Sequence, residues 1–146
     1  MKTLHFSINI NAPKEKVWQT MLDPKSFRVW TAEFCEGSYF EGSWIKGSKI
    51  KFLTPDGDGM ASTIAENKPY DFISIQHLGC IKGGIEDPES PENKSWEPAF
   101  ENYTFSEHDG ATVLKVDMDV TSDFEAYMNN AWPKALARLK EICEAS

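Results

Sequence analysis

Cysteine is scarce in this chain. Cys35, Cys80 and Cys143 stand far apart and form no C-x-x-C pair. That removes the spacing a structural zinc site or a thioredoxin-type motif requires, and three unpaired thiols are expected of a reducing cytosol. No long apolar run follows Met1-Lys2-Thr3-Leu4-His5-Phe6, so neither a signal peptide nor membrane insertion is expected, and a cytoplasmic location is. Positive charge is also short: 15 Lys and Arg against 23 Asp and Glu leave a formal net charge of -8. A nucleic-acid partner needs a positive field to displace counterions, and an anionic membrane surface asks for the same. Both are therefore disfavoured, and the charge reads as a means of keeping the protein soluble.

Catalytic signatures are missing as well. There is no G-x-S-x-G elbow, and Gly83-Gly84 lacks the strand–helix context of a phosphate cradle. The acidic run from Glu86-Asp87 to Glu92 lacks the alternating ligands of a calcium loop and reads as solvated surface. No metal and no cofactor are expected.

What the chain does have is aromatic bulk and clear periodicity. Five Trp, four Tyr and nine Phe in 146 residues are many stiff, large groups, suited to a core or to the lining of a hollow one. The length fits one domain over residues 1–146. Leu4, Phe6, Ile8 and Ile10 alternate with polar residues, which predicts a half-buried strand. Asn11-Ala12-Pro13 opens a helix with Val17, Trp18, Met21 and Leu22 on its apolar stripe, and Asp23-Pro24 restarts the chain as a second short helix anchored by Phe27 and Trp30.

From Gly37 onward glycines punctuate short segments, and strands are predicted over residues 38–44, 48–54, 60–67 and 71–78. Residues 79–98 are the least regular stretch, of a length that suits a lid. Strands over 99–107 and 111–120 follow, joined by His108-Asp109-Gly110 as a hairpin turn. The last segment is helical. Ser122 and Glu125 have capping-box spacing, and Trp132, Ala135, Leu136, Leu139, Ile142 and Cys143 recur on one face. Pro133 inside that pattern predicts a kink or break near Asn129-Asn130.

Strand, two short helices, six strands and a long terminal helix is an order that resembles the START-like (SRPBCC) superfamily, the helix-grip fold shared with the birch-pollen allergens. Ala12-Pro13-Lys14-Glu15-Lys16-Val17-Trp18 is similar to that family's first-helix entry, and Asp23-Pro24 through Trp30 to its second helix. Gly110-Ala111-Thr112-Val113-Leu114 resembles its final hairpin, and Trp132 through Leu139 its closing helix. Within the superfamily the chain looks closest to bacterial proteins similar to the activator of the heat-shock protein ninety ATPase. The resemblance implies an α+β fold: a curved antiparallel sheet of about seven strands, two short helices after strand 1, and a long C-terminal helix packed across the sheet.

A helix laid over a bent sheet leaves room between the layers for a ligand. Strand parity predicts inward rows: Phe40 with Trp44; Ile50 with Phe52; Ile73, Ile75 and His77; Glu101, Tyr103 and Phe105; and Leu114, Val116, Met118 and Val120. The residues expected to line a cavity are therefore Trp30, Phe40, Trp44, Phe52, Ile75, His77, Glu101, Tyr103, Met118, Met128, Trp132 and Leu136. His77, Glu101 and Tyr103 are the candidate polar set, since a carboxylate beside an imidazole fixes its tautomer.

Met60, Met118 and Met128 suit an adaptable apolar wall, although filling gaps in a core is the plainer use of such residues. The partner expected first is a small apolar or amphipathic ligand, and a homodimer stays open. Two alternatives remain. One is an enzyme of cyclase, lyase or hydrolase type working through His77, Glu101 and Tyr103. The other is a protein-interaction or chaperone-associated module, for which Trp96 in the long loop is the candidate contact. Binding ranks ahead of catalysis.

Overall fold

The computed structural model describes residues 2–83, 85–86 and 99–145. Gly84, residues 87–92 of the acidic run and Trp96 lie outside the described residues, and so do the readings that fall on them.

The first alternating segment forms β1 (Lys2–Ile10), with Leu4 and Ile10 buried and Thr3 and His5 exposed. Pro13 precedes α1 (Lys14–Leu22), which buries Val17, Trp18 and Met21. Asp23 ends that helix and starts α2 (Pro24–Trp30): its carboxylate accepts from the backbone N–H groups of Lys25 and Ser26 at 3.1 and 3.2 Å. These are donors a helix start otherwise leaves unpaired. A 3-10 turn, Thr31–Glu33, follows.

The meander comprises β2 (Tyr39–Gly42), β3 (Lys49–Leu53), β4 (Gly59–Lys68), β5 (Phe72–Lys82) and the short β6 (Ile85–Glu86), and β7 (Ala99–His108) and β8 (Ala111–Val120) close it. At the β7–β8 hairpin Asp109 and Gly110 both take positive φ, 52° and 80°. That is the geometry of a two-residue turn whose twist matches the strands it joins. The final element is α3 (Ser122–Glu144).

The strands form one antiparallel sheet in the order β1-β8-β7-β5-β4-β3-β2, with β6 paired to β5. β1 and β2 are thus opposite edges. The chain crosses between them through α1, which packs on β7 and β8, and α2, which packs on β2, while α3 rests mainly on β1 and on α1 and α2. The fold is the α+β arrangement expected, with seven long strands and the closing helix on one face of the sheet.

Three local expectations are corrected. The capping box does not form: Thr121 holds the cap position without a side-chain bond, and Glu125 instead accepts from Lys2 Nζ at 3.1 Å. Pro133 does not break α3, which runs unbroken through it. The carbonyl that loses a donor there belongs to Asn129, an exposed residue, where water can take its place. Finally, β5 continues through Gly79 to Lys82 and pairs β6 over Ile81 and Lys82, because Met60 and Gly59 of β4 extend the ladder opposite Cys80 and Ile81.

Candidate functional site

The inner face of the sheet is built from the expected parity rows. Ile73, Ile75 and His77 on β5, Glu101, Tyr103 and Phe105 on β7, and Leu114, Val116, Met118 and Val120 on β8 are all buried. α3 covers this face unevenly. Its buried residues are Ala131, Trp132, Ala135, Leu136, Leu139 and Cys143, all in its C-terminal part, and residues 122–130 contain none. Beneath that lighter half lies a partly open cavity of about 200 Å³.

Its walls come from four places. α2 and the turn after it supply Phe27, Trp30, Thr31, Phe34 and Cys35, and the β2–β3–β4 edge supplies Ser38, Tyr39, Phe52, Leu53, Thr54, Gly59 and Met60. The middle of the sheet supplies Glu101, Tyr103 and Met118, and α3 supplies Tyr127, Met128 and Trp132. Gly59 is a residue only glycine can be: a Cβ there would come within 1.8 Å of the Phe52 carbonyl oxygen. Trp132 is the centrepiece, with Phe34, Trp30, Phe6 and Tyr103 packed around its ring at centroid distances of 4.9 to 6.1 Å.

Of the residues expected to line a cavity, Trp30, Phe52, Glu101, Tyr103, Met118, Met128 and Trp132 border this one. Phe40, Trp44, Ile75, His77 and Leu136 do not. Phe40 and Trp44 pack on Phe27 and on each other, with Phe40 at 5.0 Å from Phe27 and 5.3 Å from Trp44. β2 stops at Gly42, so Trp44 is no longer held by strand parity. Ile75 and Leu136 are fully enclosed by neighbours. Trp18, on the apolar stripe of α1, is engaged with Phe105 and Tyr70 away from the void. Met60, Met118 and Met128 all reach the cavity surface.

His77 stands one layer behind. Its Nε2 meets Glu101 Oε1 at 3.0 Å, and its Nδ1 meets Ser62 Oγ at 2.7 Å. Tyr103 donates its hydroxyl to Glu101 Oε2. The result is a continuous row, Ser62–His77–Glu101–Tyr103, in which all four residues are buried. Glu101 and Tyr103 share a face because they are two apart on β7. His77 pairs with Ala99, diagonal to Glu101 on the neighbouring strand. Ser62 is the member sequence parity missed: a register shift between Ala61 and Ser62 places it opposite His77, and a bulge of this kind re-aims a side chain.

Donors in the lining are engaged within the protein. Trp30 Nε1 donates to the Met21 carbonyl at 3.2 Å, Ser38 Oγ to the Cys35 carbonyl at 2.6 Å, and Trp132 Nε1 to Met118 Sδ at 2.9 Å. Thr31 donates to the Phe27 carbonyl and Tyr127 to the Phe34 carbonyl. Thr54 makes a longer bond, 3.4 Å, to the Asp58 carbonyl. Among the described residues of the lining, half-buried Tyr39 is the remaining hydroxyl. Burial, and after it the Cys35 sulfur, holds the Tyr127 phenol above its ordinary value. Among the described residues no cluster of His, Cys, Asp and Glu is arranged to hold a metal ion, and no helix is long and apolar enough to cross a membrane.

Comparison with known proteins follows the architecture. The solution structure of the Aha1 dimer from Colwellia psychrerythraea is similar at 22% identity and a TM-score of 0.75, over 99% of this chain and 97% of that one. Protein MLL2253 from Mesorhizobium loti matches with the same TM-score, 0.75, at 14% identity over 99% and 98% of the two chains. DynU16, from the dynemicin biosynthetic locus, matches at 17% identity and a TM-score of 0.70 over 99% of this chain. This chain spans 48% of that protein's length. At these identities the likeness concerns the fold. No curated protein matches the sequence. The profile described as "Activator of Hsp90 ATPase homolog 1-like protein" matches residues 11–144, nearly the whole chain, and the protein belongs to that family.

Proposed function

We propose that this protein binds a small, mostly apolar molecule in the cavity between the sheet and the N-terminal half of α3. The observation that carries the reading is a void of about 200 Å³ lined by aromatic and Met side chains. Among the described residues one carboxylate–phenol pair, Glu101 and Tyr103, stands at its wall. A volume of this size equals about seven waters at roughly 30 Å³ each, and an apolar cavity of roughly 150 Å³ is known to accept benzene. It falls short of the roughly 300–1,000 Å³ of pockets that hold drug-sized ligands. The size therefore favours a one-ring aromatic or a short alkyl chain over a whole lipid.

Catalysis ranks second. The row Ser62–His77–Glu101 has the composition of a hydrolase triad, but Ser62 is fully buried and absent from the cavity lining, so it has no substrate to attack. Acid–base chemistry would rest on Glu101 and Tyr103, with His77 as a positioning residue behind them.

Native mass spectrometry of the freshly purified protein is the first test, with an isotope-labelled methionine methyl spectrum during addition of ethylbenzene as the second. A retained small molecule, or shifts at Met60, Met118 and Met128 with Met21 in the solid core unmoved, is the expected result. No retained molecule and no methyl shift at millimolar ethylbenzene would end the binding reading.

A further inference from the structure

We infer that the cavity selects ligands whose polar head is a hydrogen-bond donor, a hydroxyl or an amine, and rejects carboxylates. This rests on the binding role proposed above and narrows its ligand class. The argument begins with what the polar wall has left to offer. Each oxygen of an ionised carboxylate has two lone-pair sites. At Glu101 one site on each oxygen is taken, by His77 Nε2 at 3.0 Å on Oε1 and by the Tyr103 hydroxyl on Oε2. The sites that remain are acceptors. The Tyr103 oxygen, having donated its proton, is an acceptor too.

The rest of the lining adds almost nothing to balance this. Its indole N–H groups and its hydroxyls, Tyr39 excepted, already donate within the protein, as set out above. Among the described residues no Lys, Arg or His belongs to the lining. Arg28 holds its guanidinium 5.4 Å over the Tyr39 ring and is not part of the cavity wall. His77 faces the far side of the Glu101 carboxylate and is 1% exposed, so an incoming anion would meet Glu101 first. Two like charges a few ångströms apart, with apolar walls and no cation between them, repel strongly. A hydroxyl or ammonium head has the opposite fate: it fills a vacant lone pair with a charge-assisted hydrogen bond, the strong kind.

A ligand series of one shape isolates the head group. Ethylbenzene, para-ethylphenol, para-ethylbenzylamine and para-ethylbenzoate are titrated into the intact wild-type protein, with binding read from the Met60, Met118 and Met128 methyls. The expected order places the phenol or the amine at least about tenfold tighter than ethylbenzene, the scale of one hydrogen bond to a charged group. The benzoate falls at least about tenfold below ethylbenzene. In Glu101→Gln, whose carboxamide also donates, the benzoate should recover by at least about tenfold and the phenol preference should shrink.

The wild-type ranking decides the matter even if that variant fails to fold. Benzoate binding as tightly as phenol overturns the selectivity while leaving the binding role intact. Failure of all four ligands, ethylbenzene included, overturns the binding role and the selectivity with it. Benzoate exclusion that persists unchanged in a folded Glu101→Gln removes Glu101 as its cause.

Discussion

The two halves of α3 share one continuous helix and do different work. Residues 133–144 place Ala135, Leu136, Leu139 and Cys143 at 2% exposure or less, against β1, α1 and α2, and Trp132 stands between this end and the void. Residues 122–130 bury nothing fully and roof a void with Tyr127 and Met128. The contrast shows how a domain of this size keeps a hollow without losing cohesion. Hydrophobic burial is concentrated at one end, where close packing is complete, and the helix extends beyond it as an arm over the open part of the sheet. The ties of the arm include Tyr127 to the Phe34 carbonyl and Glu125 to Lys2. Surface ties of this kind contribute little each.

Truncation at the two ends is the most forceful way to break this comparison. Leu139→Ala empties a site with 0% exposure and should cost about 3 kcal/mol, within the range for buried Leu. Met128→Ala, at a half-buried site beside an existing void, should cost under about 1 kcal/mol because little packing is lost. Urea unfolding midpoints measure both, and equal costs would mean that the cavity end is packed as tightly as the other. Enlargement gives the next largest effect. Ala135→Leu overfills the solid end and should destabilise by about 2 kcal/mol. Met128→Phe has room to turn into the void and should leave stability within about 1 kcal/mol of wild type. It should also abolish the ethylbenzene shifts at Met60 and Met118. Met128→Phe that binds ethylbenzene as before would place the ligand elsewhere.

The solid end was the legible one. Strict alternation along β1, β7 and β8, and three-and-four spacing from Trp132 to Cys143, report burial directly, since each apolar position there answers to one packed face. The hollow end was read only in part. The sequence allows Met60, Met118 and Met128 an adaptable wall beside the plainer role of core filling, and it puts Glu101 and Tyr103 on one inward row, because those positions sit on regular strands or on α3. Phe34, Cys35 and Ser38 carry no such signal: they follow the 3-10 turn Thr31–Glu33, where no periodicity marks an inner face. A strand extended past Gly42 puts Trp44 on the inner face by parity, whereas β2 ends at Gly42; Phe40 lies within β2 and packs on Phe27 instead of bordering the void. Gly42 leaves regular strand geometry with φ 122°, and a Cβ there would meet the Lys49 carbonyl oxygen at 2.4 Å. Ser62 was invisible for a different reason. A register shift depends on how two strands pair, and neither strand alone records it.

The smallest expected effect distinguishes the ends by titration. Cys143 belongs to the solid end, and burial raises its thiol above the ordinary value of 9.0. Tyr127 belongs to the arm, and its phenol is raised above 10.0, chiefly by burial. In both cases the folded protein holds its proton to higher pH than the unfolded chain does. The contribution is complete below the unfolded value and is lost as pH rises past it, because the unfolded state then releases protons the folded state retains. Alkaline destabilisation should therefore begin above pH 9.0 through Cys143 and acquire a second component above pH 10.0 through Tyr127. Cys143→Ala should flatten the first part of the pH profile of the urea midpoint. Tyr127→Phe should flatten only the second, while loosening the arm enough to speed ethylbenzene exchange in methyl spectra. A Tyr127→Phe protein with unchanged exchange would show that the arm does not control entry, and that the cavity is reached from the β2–β3 side instead.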